Sequence, residues 1–191
     1  MDSTHETTAE LFTSRPAPEE RLEKELLCYD LLEKYKIPYT GLDHPAAMSV
    51  EDCHNADVLL GIHICKNLFL CNRQKTDFYL LMILGDKKFK TKDITKQIGS
   101  ARLSFGGPAE MEQYLDITPG SVSVLGLMND TENHVRLLVD EDLLKGEYFG
   151  CHPCVNTSSL RVKTRDILGP FLKAVHHDMT VVKLPGENEE A

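Results

Sequence analysis

Residues 78–84 read Phe-Tyr-Leu-Leu-Met-Ile-Leu, seven apolar positions with nothing polar at either parity. A strand sends alternate side chains to opposite faces, so this run needs cover on both sides. It is far too short to cross a membrane, and no other stretch approaches the roughly 18 apolar residues a span requires. The run therefore marks a central strand, with helices or further sheet packed over each face.

The preceding run, 67–72, reads as its neighbour across a short polar turn, and a lysine opens it. Period two puts Lys66 on the face of Leu68 and Leu70. Desolvating an unpaired ammonium is costly, so Lys66 either reaches the rim of the sheet or lines a cavity for an anionic or strongly polar ligand.

Other segments fill out a mixed α/β order. Leu22, Leu26, Tyr29, Leu32 and Tyr35 recur at helical spacing, predicting a helix over 19–36 that ends at Ile37-Pro38. Residues 39–44 read as a short strand, and Ser49 as the cap of a helix reaching Val58. A helix over 92–98, a strand over 102–105 and a helix opened by Gly107-Pro108 follow. Residues 121–128 and 134–139 are expected to pair as a hairpin. Arg161 and Val162 lie in a strand, 164–176 is a helix, and 179–183 is a last strand. The pattern predicts one mixed sheet carrying helices, in a single domain over 19–185. An unstructured acidic extension over 1–18 and an acidic tail over 186–191 flank it.

The net charge of -9 is concentrated at the ends, with seven acids against three bases in residues 1–25 and three acids in 186–191. The near-neutral middle holds two local basic stretches, one over 86–92 and one at Arg161, Lys163 and Arg165. This distribution argues against tight non-specific nucleic-acid binding while leaving a specific RNA partner open. The polar, acidic N-terminus resembles neither a signal peptide nor a basic transit peptide, so cytoplasm is the expected location.

Six cysteines in such a chain are expected to be reduced. Cys151-His152-Pro153-Cys154 has redox spacing but lies late in the chain, outside a strand-to-helix turn. Structural zinc sites use two close-spaced pairs, which Cys65 and Cys71 do not supply. No metal and no cofactor are expected.

Five segments bear on chemistry: Lys66-Asn67-Leu68-Phe69-Leu70, Arg102-Leu103-Ser104-Phe105, Thr118-Pro119-Gly120-Ser121-Val122-Ser123, Leu127-Met128-Asn129-Asp130 and His152-Pro153-Cys154-Val155-Asn156-Thr157. Singly each has an ordinary reading: Gly120 after proline is a type II turn signal, and His152, Asn156 and Thr157 suit a turn. In this order and spacing the set resembles the YbaK/ProX family of aminoacyl-tRNA deacylases. The pattern is nearest that of the free-standing relatives of the prolyl-tRNA synthetase editing domain, over residues 22–183.

The resemblance implies a YbaK-like mixed, partly barrel-like sheet surrounded by helices. It implies hydrolysis of a mischarged aminoacyl ester, most often alanyl-tRNA(Pro), with the tRNA(Pro) acceptor end as partner and prolyl-tRNA synthetase as a second. It further implies Lys66, Gly120 and His152 as catalytic residues, and Asn67, Ser121, Val122, Asn156 and Thr157 as substrate-binding residues. Glycine at 120 would let backbone N–H groups approach the reacting carbonyl, as an oxyanion cradle requires. Lys66 would hold a phosphate or ribose, or stabilise the oxyanion.

Val124 stands where the family commonly has proline, which restores a backbone N–H and frees the loop. The leading alternative is an inactive relative that uses the pocket to bind an amino acid or a charged tRNA end as a regulatory module.

Overall fold

A computed structural model describes residues 10–19, 21–47, 54–63 and 65–185. Its strands fall into two sheets. The first is wholly antiparallel, in the order β1 (Leu11–Phe12), β2 (Tyr39–Asp43), β8 (Ser158–Lys163) and β7 (Tyr148–Cys151). The second is mixed, in the order β5 (Leu103–Phe105), β3 (Cys65–Asn72), β4 (Phe78–Leu84), β6 (Val135–Asp140) and β9 (Met179–Val182). Its β5, β3 and β4 are antiparallel, while β4, β6 and β9 run parallel. Helices α1 (Glu23–Lys34), α2 (His54–Leu60), α3 (Lys92–Ile98) and α4 (Pro108–Leu115) complete the fold. The mixed α/β class is as expected, with the strands divided between two sheets rather than held in one.

The division follows from β4. Phe78, Leu80 and Met82 enter one apolar cluster with Tyr29 and Leu32 of α1, Phe149 of β7 and Leu160 of β8. Tyr79, Leu81 and Ile83 enter another with Ile94 of α3, Leu138 of β6 and Val182 of β9. The second sheet is thus sandwiched, one face on the first sheet and α1, the other on α3. A run with no polar parity has no other stable place.

Several elements depart from expectation for physical reasons. In α1 the buried stripe is Cys28, Tyr29 and Leu32 with Glu25, while Leu22 lies outside the helix and is 58% exposed. Glu25 can turn inward because Arg21 and the Tyr29 hydroxyl bond its carboxylate. Residues 124–129 form a 3₁₀ turn instead of the first strand of a hairpin. Both edges of β6 are taken by β4 and β9, so no edge remains for a hairpin partner. Asp130 shapes the approach to β6, accepting the N–H groups of His134 and Val135.

The helix expected over 164–176 is broken at its middle, where Ile167–Phe171 makes a π turn around Pro170. Proline lacks the N–H that an unbroken α-helix would use. Strand β7 is legible only in three dimensions, since Tyr-Phe-Gly-Cys carries little alternation. Leu11–Phe12, within the stretch expected to be unstructured, pair with Leu42 and Gly41. Phe12 there packs edge-on against Tyr29. The expected cap at Ser49 lies outside the described residues. Among the described residues no helix is long and apolar enough to cross a membrane.

Candidate active site

Where the two sheets meet, β3, β7 and β8 line a small, partly open cavity of about 40 Å³. Strand alternation decides what β3 offers it. Cys65 and Asn67 point toward the sheet interface and line the cavity, while Lys66 belongs to the opposite face, with Leu68 and Leu70. The parity expected for Lys66 is therefore observed, and it separates this ammonium from its neighbour's amide. Lys66 is half-buried, and its Nζ donates to the Lys87 carbonyl at 3.2 Å.

Asn67 is held by its Nδ2, which donates to the Cys65 carbonyl at 3.3 Å. Its Oδ1 is buried and has no hydrogen-bond partner among the described residues. A buried amide oxygen without a donor costs free energy, so its persistence against a cavity marks a place for an incoming N–H or O–H.

His152 follows directly from β7 and faces the same space. Its Nδ1 lies 2.7 Å from the Ser158 carbonyl, which only accepts, so the ring proton sits on Nδ1 and Nε2 is an acceptor. Burial pushes the imidazole below the ordinary histidine value; the Ser158 carbonyl opposes this and the neighbouring His44 ring, with centroids 6.0 Å apart, adds to it. His152 is accordingly neutral near pH 7.

Gly120 is where its turn signal placed it, at φ +87°, with the Ser121 N–H bonded to the Thr118 carbonyl at 3.0 Å. Only glycine adopts that conformation freely. Gly120 is exposed, Ser121 is buried, and Val122 reaches the cavity wall. Val124, in place of the family proline, is fully buried at the head of the 3₁₀ turn, which the Ser123 hydroxyl caps by accepting the Leu125 N–H.

Asn156 and Thr157 do not line the cavity. They clamp the segment after β2: the His44 N–H donates to the Thr157 carbonyl at 3.0 Å, and the Ala47 N–H to the Asn156 carbonyl at 2.9 Å. The Asn156 side chain returns a bond to the Ala47 carbonyl. Of the eight residues expected at the site, the fold brings Asn67, Val122 and His152 to one cavity. Gly120 and Ser121 lead into it, Asn156 and Thr157 brace it, and Lys66 stands on the other face of β3.

A model of the aminoacyl-tRNA editing domain matches residues 44–169. The chain belongs to the aminoacyl-tRNA editing domain family. Among its relatives, the prolyl-tRNA editing protein ProX of Acetoanaerobium sticklandii is 30% identical over 136 residues, 71% of this chain and 83% of that one. A prolyl-tRNA synthetase associated domain-containing protein 1 of Xenopus laevis is also 30% identical, over 165 residues, 84% of this chain and 96% of that one. A solved structure described as a candidate trans-editing enzyme for prolyl-tRNA synthetase superposes with TM-score 0.63. It shares 17% identity and covers 86% of this chain and 99% of that one. At that identity the likeness concerns the fold.

Nothing in the sequence pointed to Asp57 on α2 and Ser159 on β8 at the cavity of this editing domain, or to His44 behind Ser159. His44-Pro45 reads only as the end of a strand, and Ser158-Ser159 carries no signal of its own. Their meeting joins positions 115 apart in sequence, which no local pattern records.

Among the described residues the cysteines are free thiols, and Cys151 and Cys154 do not pair with each other. Cys151 and Cys154 are both buried, and the Cys154 sulfur meets Cys28 at 3.5 Å rather than its motif partner. Burial pushes the Cys151 thiol up, and that of Cys65 to about 12, which disfavours the thiolate that exchange chemistry uses.

Proposed function

We propose that this protein hydrolyses, in trans, the aminoacyl ester of mischarged tRNA(Pro), with alanine as the acyl group removed. The observation that carries the reading is a cavity of about 40 Å³ whose wall combines a neutral His152 with an Asn67 Oδ1 that is buried and unpartnered among the described residues. A space of that size suits a methyl side chain and is too small for a pyrrolidine ring. Asn67 Oδ1 and His152 Nε2 are acceptors for the α-amino group, which every aminoacyl ester carries and which this arrangement lacks a substitute for. Membership of the editing-domain family and the likeness to a prolyl-tRNA editing protein support the same chemistry.

In this reading the ester enters past Gly120, whose turn brings backbone N–H groups toward the carbonyl. Val122 limits the side chain. Because Lys66 stands on the opposite face of β3, its role is the outer one: an ammonium that gives one hydrogen to the Lys87 carbonyl keeps two for a phosphate or ribose of the terminal nucleotide. Asn156 and Thr157 act by holding the His44 segment.

Deacylation of alanyl-, cysteinyl- and prolyl-tRNA(Pro) tests this directly. The wild type is expected to cleave the alanyl ester and spare the prolyl ester, and Lys66→Ala to lose most activity, chiefly through KM. Equal cleavage of prolyl and alanyl esters would remove the size argument. A Lys66→Ala variant with wild-type turnover and KM would remove the lysine's role.

A further inference from the structure

Strand β8 presents two adjacent serines to opposite faces, and their surroundings differ. The Ser158 hydroxyl is tied to the Asp43 carboxylate at 2.5 Å, within the Arg21, Glu25 and Asp43 ionic group. Ser159 lines the cavity and is 5% exposed, and its hydroxyl lies 2.9 Å from His44 Nε2. His44 Nδ1 lies 2.8 Å from the Pro45 carbonyl, which can only accept, so in the neutral ring that nitrogen carries the proton and Nε2 is the acceptor. The hydrogen bond then runs from the Ser159 hydroxyl to the imidazole. This is the arrangement by which a base activates a hydroxyl, with a backbone carbonyl in the orienting position that a carboxylate often fills.

The base is held through its backbone. Its N–H and the following segment are clamped by Thr157 and Asn156, as described above. We propose that Ser159 and His44 form a proton relay that activates the hydrolytic water, Ser159 touching the water and His44 acting through Ser159. This rests on the reading of the cavity as an aminoacyl-ester site.

In the step, a water in the cavity gives a proton to Ser159 Oγ as Ser159 gives its own to His44 Nε2. The water oxygen adds to the ester carbonyl carbon and the carbon–ribose oxygen bond breaks. The ribose oxygen then takes the proton that the imidazolium returns through Ser159. One ester and one water become one free amino acid and one ribose hydroxyl, and the relay ends as it began.

The titratable groups facing this pair are Asp43 on β2, Asp57 on α2, the thiols of Cys65 and Cys151, and His152. Burial pushes the Asp43 carboxyl up, but hydrogen bonds from Arg21 and Ser158 prevail and hold it below the usual range. His152 is a second imidazole close by, so a variant of His44 itself is needed to separate their contributions.

The experiment is steady-state deacylation of alanyl-tRNA(Pro) across pH by wild type, Ser159→Ala, His44→Gln and the double variant, with thermal melts of each. A relay predicts a loss in kcat of about 10²-fold in each single variant with KM little changed, the range for general acid–base steps. It predicts a double variant no slower than the singles, because the two act as one unit. The acid limb of kcat against pH should vanish in His44→Gln. Ser159→Thr, which keeps a hydroxyl, should recover at least a tenth of wild-type kcat even if Ser159→Ala folds poorly. Losses that multiply in the double variant, or His44→Gln with wild-type kcat and an intact acid limb, overturn the relay.

Nitrogen-15 spectra of the His44 ring, taken without substrate, separate this inference from the functional reading. A ring protonated at Nδ1 whose Nε2 resonance moves in Ser159→Ala supports the relay geometry even if the wild type spares the alanyl ester. A ring protonated at Nε2 refutes it whatever the activity.

Discussion

The two faces of β3 end in two polar groups of opposite character. On the inner side, Asn67 and His152 each hold an acceptor atom toward a small cavity, one of them buried without a donor among the described residues. On the outer side, the loop after β4 carries Lys87, 6% exposed, whose Nζ meets Asp140 at 2.7 Å, Asp142 at 2.6 Å and the Leu184 carbonyl at 3.0 Å. Its ammonium donates to the Leu184 carbonyl and is ion-paired with both carboxylates, so its charge is already spent inside the protein. A saturated buried cation fastens β4, β6 and the segment after β9 together, whereas spare hydrogen-bonding capacity beside a cavity belongs to binding.

That contrast is open to direct attack. The largest expected effect is on stability: Lys87→Met leaves the fully buried Asp140 carboxylate without its cation and should cost about 3–5 kcal/mol in denaturant unfolding. Asn67→Ala is the reverse case. Kinetics should show kcat/KM for the alanyl ester falling about 10- to 100-fold, or about 1.4–2.7 kcal/mol, with stability within about 0.5 kcal/mol of wild type. If Asn67→Ala unfolds the protein while Lys87→Met does not, the assignment of the two faces is inverted.

Gly120→Ala forces a side chain onto φ +87° and should lower stability by about 1–2 kcal/mol, together with activity. The smallest effect concerns pH. The folded state holds the His152 pKa below its unfolded value, so the unfolded chain binds the extra proton. Stability should therefore decline as pH falls from the ordinary histidine range, about 6.5, toward the lower folded value. His152→Gln should flatten that part of the stability profile, measured by melts across pH.

Much of the fold was legible along the chain because it rests on periodicity. The uninterrupted apolar run of β4 required a covered central strand, and parity placed Lys66 with Leu68 and Leu70. Pro108 opens α4 as its N1 signal indicates, and Gly120 adopts the positive φ that Pro-Gly suggests. What failed to show was non-local. The 3₁₀ turn at 124–129 follows from β6 having no free edge, and the two-residue β1 exists only because β2 presents an edge to it. At the candidate site the resemblance selected Asn67, Val122 and His152, which the fold gathers. It could not separate residues that face the cavity from those that brace it, as Asn156 and Thr157 do.

By itself, then, the sequence determined which strand lies at the centre, which side of β3 each residue occupies, and where the backbone must turn at Gly120, because each of these is set by spacing within a few residues. Only the tertiary structure decided that the strands divide into two sheets, that the junction leaves a cavity of about 40 Å³, and that His44 meets Ser159. Those outcomes depend on the order in which distant strands pair, and pairing order is fixed by the burial of whole faces rather than by any local run of residues.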